Sequence, residues 1–99
     1  MGEYWKPVNV TKMESINPHS FGNGLKFREW VGYDSATMLK VRELVKDRWA
    51  GDLVVCVSDY GGIVPFDMLT GVIPDDLDAE RLYDEAADIS EQVGGRSRY

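Results

Sequence analysis

Leu53-Val54-Val55-Cys56-Val57 is the longest uninterrupted apolar run in the chain, with Asp52 before it and Ser58 after it. Five residues rich in β-branched side chains, with no alternation of polar and apolar positions, predict a central strand buried on both faces. The core is expected to be built around this strand. Just beyond it, Tyr60 is followed by Gly61-Gly62 and a second apolar run, residues 63–66, so the glycine pair is expected to close a hairpin whose second strand Pro65 keeps short.

Upstream of the run, apolar residues recur at helical spacing: Met38, Val41, Leu44, Val45 and Trp49. Asp34 or Ser35 supplies the cap, Lys46 and Arg48 suit the C-terminal dipole, and Gly51 is a natural stop. Residues 4–11 read as a first strand in which Pro7 suits a sheet edge. Residues 13–21 are irregular, and Gly22-Asn23-Gly24 has the composition of a tight hairpin turn leading to a strand over residues 25–31.

Downstream, Leu82, Ala86, Ile89 and Val93 fall within about 60° of arc on a helical wheel, while Asp76, Glu80, Asp84, Asp88 and Glu91 occupy the opposite side. The pattern predicts a helix over about 76–93, ended by Gly94-Gly95. The fold class expected is therefore α+β: a mostly antiparallel sheet of three to five strands packed by two amphipathic helices at about 35–49 and 76–93. One domain over residues 1–99 is expected, with residues 94–99 as a frayed tail.

Composition narrows the function classes. With 99 residues and 43% apolar content the chain can bury one modest core, and its single cysteine excludes an internal disulfide. Neither a signal-peptide pattern nor a membrane-spanning apolar stretch is legible, and the lone Cys56 suits a reducing compartment, so a cytoplasmic location without membrane association is expected. Residues 51–99 carry eleven acids against three arginines, whereas residues 1–50 carry eight basic residues against six acids. The net charges of −8 and +2 account for the total of −6. A one-signed surface selects partners by sign. A basic protein surface is the expected partner of the acidic half, and repulsion excludes nucleic acid as a direct ligand of that face.

Individual residues offer narrower chemistry. The stripe of Asp76, Glu80, Asp84, Asp88 and Glu91 could dock on a basic patch or imitate a row of phosphates; its plain alternative is a solvated helix face. Trp30 and Trp49 are candidate aromatic anchors for a protein contact, against ordinary core packing. His19, the only histidine, is a candidate general base with Asp59 among the carboxylates that would orient it. Asn23, with Lys26 and Arg28 close in sequence, resembles an anion-cradling turn, although turn geometry alone explains the Asn-Gly pair. Cys56, among valines, reads as an inert core thiol. No set of ligands has metal-site spacing, and neither a metal nor a cofactor is expected.

Two stretches carry a further likeness. Val8-Asn9, Lys12, Glu14, Ile16, Pro18-His19, Phe21-Gly22, Gly24-Leu25-Lys26 and Glu29-Trp30 form the first, and Arg48-Trp49-Ala50-Gly51-Asp52 through Val57, Asp59 and Tyr60 the second. Together they resemble a group of short uncharacterised proteins of bacteria and their phages, over about half of the chain. The resemblance implies a small cytoplasmic or phage-encoded accessory protein in which the loop of residues 18–26 and the corner of residues 48–52 share one surface. It implies no activity, and it does not reach the acidic final segment.

The function expected is a non-enzymatic binding or regulatory protein meeting a protein partner through the acidic C-terminal helix and exposed aromatics. In a phage setting that means an inhibitor of host machinery or a mimic of nucleic-acid charge. The alternatives are a small enzyme or ligand-binding domain around His19, Lys26, Arg28 and Asp59, and a homo-oligomeric structural component.

Overall fold

Val55 and Cys56 face opposite sides of a five-stranded sheet, and each side is closed by its own helix. The computed structural model describes residues 4–24, 35–65 and 74–95. Its strands are β1 (Trp5–Asn9), β2 (Glu14–Ser15), β3 (Val54–Ser58), β4 (Ile63–Pro65) and β5 (Ala87–Asp88), in the spatial order β4-β3-β1-β2-β5. All neighbours are antiparallel except β2 and β5, so the sheet is mixed and the fold is α+β. All five β3 residues are buried, one position later than the apolar run, with Leu53 half-buried ahead of the strand and Ser58 closing it.

On one face, helix α1 (Ala36–Val45) packs Met38, Val41 and Leu44 against Val54 and Cys56, with Ile16, Trp49 and Ile89 completing the cluster. On the other, helix α2 (Ala79–Glu85) packs Ala79 and Leu82, with Ala86 just beyond it, against Val8, Val55 and Val57. Strand period explains the division, because successive β3 side chains alternate between the two helices. Lys6 adds a cationic contact 4.4 Å from the Tyr83 ring centroid on the α2 side.

Helix α1 starts where a cap is available: Ser35 Oγ accepts the N–H of Met38 at 3.1 Å. It ends earlier than residue 49. Trp49 N–H bonds to Leu44 O at 2.7 Å, and a turn through Gly51, with φ 78°, redirects the chain into β3. The Gly61-Gly62 hairpin forms between β3 and β4 as expected, with Val57 opposite Ile63.

Three local expectations are corrected. Pro7 lies on an interior strand, with β3 on one side and β2 on the other. Lys6 and Val8 of β1, and Val10 just beyond it, bond toward β3, shown by Val10 N–H to Leu53 O at 2.8 Å, so Pro7 turns its donor-free nitrogen toward β2. There its carbonyl still accepts Ile16 N–H at 3.4 Å. The β1–β2 ladder stops at that point, which accounts for the two-residue length of β2.

The first hairpin turns at residues 10–13, not at Gly22-Asn23-Gly24. Asn9 Oδ1 captures the Lys12 N–H at 2.9 Å, and Met13 takes a left-handed φ of 55°. Residues 18–21 instead form a 3₁₀ turn closed by Gly22 at φ 83°. The expected strand over residues 25–31 lies outside the described residues, as do residues 66–73 and 96–99.

The third correction concerns the last helix. Residues 76–93 are not one helix: α2 ends at Glu85, Ala86 is extended at ψ 130°, β5 follows, and a second 3₁₀ turn spans Ser90–Val93. The backbone is claimed by the sheet here, with Ala87 N–H bonded to Met13 O and Ile89 N–H to Ser15 O, both at 2.9 Å. Asp88 holds the bend by accepting both the N–H and the hydroxyl of Ser90. No helix among the described residues is long and apolar enough to cross a membrane.

Candidate functional site

Asn9, Lys12, Glu14, Arg48, Trp49 and Asp52 meet at one corner, in two neighbouring hydrogen-bonded groups. Asn9, at the end of β1 and fully buried, accepts the Lys12 N–H and donates from Nδ2 to Asp52 Oδ2 at 2.8 Å. Lys12 Nζ pairs with the same carboxylate. One step along the sheet, Glu14 takes Arg48 in a two-pronged contact, Nε at 3.2 Å and Nη2 at 2.7 Å, and Oε1 also accepts the indole N–H of Trp49 at 2.9 Å. The 48–52 corner is therefore joined to the β1–β2 hairpin.

Electrostatics at this corner follows from the pairing. Arg48 beside Glu14 holds its carboxyl below the usual carboxylate range, with help from the Trp49 indole and against a smaller opposing effect of burial. Lys12, and after it Asn9, does the same for Asp52. Both acids are committed to their partners, and the described residues include no buried side-chain polar atom without a hydrogen bond. Such a corner is suited to fixing the hairpin against the α1–β3 turn, not to binding a ligand.

Trp49 is 0% exposed, so it is a core residue and not a surface anchor. Its ring completes the α1 face of the sheet while its N–H finds Glu14, which is how an indole is buried without loss. Trp30, Lys26 and Arg28 lie outside the described residues. Asn23 does not present a free amide oxygen: Oδ1 accepts both the N–H (3.0 Å) and the hydroxyl (2.6 Å) of Thr37, tying the loop to the first turn of α1.

His19 is exposed on the first 3₁₀ turn, where its backbone N–H bonds to Asn17 Oδ1 at 2.9 Å. Asp59 lies in the β3–β4 turn and accepts the Tyr4 N–H at 3.0 Å through Oδ1. No hydrogen bond among the described residues joins His19 to Asp59, and none holds three or more His, Cys, Asp or Glu side chains in a metal-binding group. Cys56 is buried, and desolvation pushes its thiol pKa well above the ordinary range.

The surface with the strongest chemical character is the segment from residue 75 to residue 91. Its eight acids, Asp75, Asp76, Asp78, Glu80, Asp84, Glu85, Asp88 and Glu91, are all exposed, and Arg81 is the single basic residue among them. Arg81 is itself engaged by Glu85 at 2.6 Å, Asp78 caps α2 by accepting the Arg81 N–H at 3.2 Å, and Asp88 holds Ser90. Asp75, Asp76, Glu80, Asp84 and Glu91 have no partner among the described residues. The acids lie on four kinds of backbone, turn, α-helix, strand and 3₁₀ turn, and not on one helical stripe, so the regular spacing expected of a phosphate row is absent while the excess of negative charge remains.

Sequence reasoning expected exposed aromatics but named Trp30 and Trp49, not the two tyrosines that stand exposed. Tyr60 is 62% and Tyr4 46% exposed, and both are at the end of the sheet where Asp59 N–H bonds to Tyr4 O at 3.1 Å. A β-carbon placed on the neighbouring Gly61 would stand 3.6 Å from Glu80 Oε1, so the Tyr60 turn borders the acidic segment. The available signal was the position of Tyr60 at the tip of a Gly-Gly hairpin, where a side chain has little to pack against. Among known proteins, no family model, no curated protein and no solved structure matches the chain.

Proposed function

We propose that this protein is a non-enzymatic binding module that meets the basic surface of a protein partner through its acidic segment, residues 75–91, with Tyr60 at the margin of the contact. The observation that carries the reading is the exposure of all eight acids beside a single, already paired arginine. A field of one sign accelerates and orients encounter with a complementary surface, and a large exposed aromatic beside it supplies the apolar contact that charge alone lacks. The same field repels nucleic acid. A regulatory role in the cytoplasm, as an accessory protein of bacterial or phage origin that blocks a basic site on host machinery, fits this charge and the buried reduced thiol.

The test is a triple reversal, Asp76→Lys, Glu80→Lys and Asp84→Lys, at exposed positions with no described partner. Wild-type protein immobilised at low salt is expected to retain a protein with a basic surface and to release it at high salt, as screening requires. The triple variant should fail to retain it while keeping the wild-type circular dichroism spectrum. If the variant recovers the same partners as the wild type, the acidic surface is not the contact. Tyr60→Ala should weaken retention without changing its salt dependence.

A further inference from the structure

An open groove of about 280 Å³ runs between the β1–β2 turn and the approach to α2. Val10 and Met13 form one wall, Leu77 and Leu82 the other, and the exposed Asp76, Asp78 and Arg81 stand at its rim. Leu82 is buried, whereas Val10, Met13 and Leu77 are half-buried, so an apolar floor opens to solvent. The volume lies just below the range of about 300–1,000 Å³ common for small-molecule pockets and suits one or two aliphatic side chains.

The charges around the opening set the sign of what enters. Arg81 is drawn to Glu85, and Asp78, although it caps α2, keeps its negative charge at the rim. Asp76 and its neighbour Asp75 have no partner among the described residues. An apolar slot edged by uncompensated carboxylates is complementary to an aliphatic side chain flanked by cations. We infer that this groove receives a short segment of the protein partner in which a leucine-like residue enters between Val10, Met13 and Leu77 while neighbouring Lys or Arg side chains meet Asp76 and Asp78. This rests on the proposed binding function and specifies the partner's chemistry: charge brings the segment in, and the groove selects its apolar residue.

The test uses the ¹⁵N-labelled full chain at low salt with three synthetic capped peptides: Lys-Lys-Leu-Lys-Lys, Lys-Lys-Gly-Lys-Lys and Glu-Glu-Leu-Glu-Glu. The first is expected to shift the amides of Val10, Met13, Leu77 and Leu82 and to bind at least tenfold more tightly than the other two. Met13→Gly removes one wall at a position whose φ of 55° suits glycine, so the fold is retained and the leucine peptide should lose about fivefold or more in affinity. Leu77→Ser should do the same.

Equal binding of both basic peptides, with shifts confined to Glu80, Asp84 and Glu91, would overturn the groove and leave the acidic surface standing. Absence of any shift with the leucine peptide would also overturn it, while retention of a partner by the wild type and not by the triple variant would separately decide the broader reading. Side-chain contacts from residues 66–73 into the groove of the free protein, or a dimer in sedimentation that Met13→Gly dissolves, would show another occupant and overturn it too.

Discussion

The indole nitrogen of Trp49 donates to Glu14 Oε1 at 2.9 Å, so a fully buried ring and a carboxylate at the sheet's margin are held as one unit. Trp49→Phe keeps much of the apolar volume and leaves Glu14 with Arg48, so a loss of about 1.5–3 kcal/mol is expected, the contribution of a hydrogen bond to a charged group. Trp49→Ala opens a cavity beneath α1 and should cost about 3–5 kcal/mol. Urea unfolding measures both. A Phe variant as stable as the wild type would show that the indole N–H adds nothing.

Stability should fall in acid, with Glu14 and Asp52 as named contributors. Both have folded-state pKa values depressed by their cationic partners, so their contribution is complete above the unfolded carboxylate value, about 4, and fades as pH falls through the lower folded value. Glu14→Gln and Asp52→Asn should each be less stable than the wild type at pH 7, with the difference shrinking toward pH 2. Unfolding curves measured across that range decide it, and a difference that does not change with pH would remove these two pairs from the account.

Gly62 touches the ring of Trp5 at the open end of the sheet. A β-carbon there would stand 2.6 Å from Trp5 Cη2 and 3.0 Å from Ser58 Oγ, which itself accepts the Gly62 N–H at 2.8 Å. Gly62→Ala is therefore expected to cost about 1–3 kcal/mol by overpacking. Trp5→Leu should recover part of that cost in the double variant, a coupling readable as non-additive denaturation midpoints. Strict additivity would place the strain elsewhere.

Cys56 should be silent toward thiol reagents in the native protein. Its burial raises the thiol pKa and removes both thiolate and access, so labelling by a disulfide reagent should follow the rate of unfolding, not reagent concentration. Labelling faster than the independently measured rate of unfolding would mean that β3 opens locally.

The central strand was legible because burial on both faces leaves a mark in the residues themselves: Val54 to Val57 carry no polar alternation. The first helix was legible for a similar reason, since Ser35 and the spacing of Met38, Val41 and Leu44 act locally. The break at Ala86 was not. Leu82, Ala86 and Ile89 are all buried, as a continuous helix would bury them, yet the outcome turns on hydrogen bonds from Ala87 and Ile89 to Met13 and Ser15, more than seventy positions away. Periodicity does not record such partners.

Asn23 and Trp49 show the same limit at the level of side chains. An Asn-Gly pair announces a turn, but nothing in its neighbours says that Thr37 will occupy the amide oxygen. A tryptophan near a helix end reads equally as anchor or core until Glu14 is brought beside it. The acidic surface, by contrast, survived a wrong secondary structure because exposure of charge depends on the cost of burying it and not on the backbone beneath.

The parallel pairing of β5 with β2 has a consequence for how the molecule is made. Strand β2 lacks its outer neighbour until residues 87–90 leave the ribosome, which at about 5–20 residues per second follows the synthesis of Ser15 by several seconds. During that interval the nascent hairpin exposes an unpaired edge and an Ile16 whose cluster still lacks Ile89, and the final closure joins residues 73 positions apart, as Glu14 and Ala87 are. Folding is thus a late, cooperative step with a large loop to close, and chains cut before residue 87 should depend on chaperones to stay apart from one another.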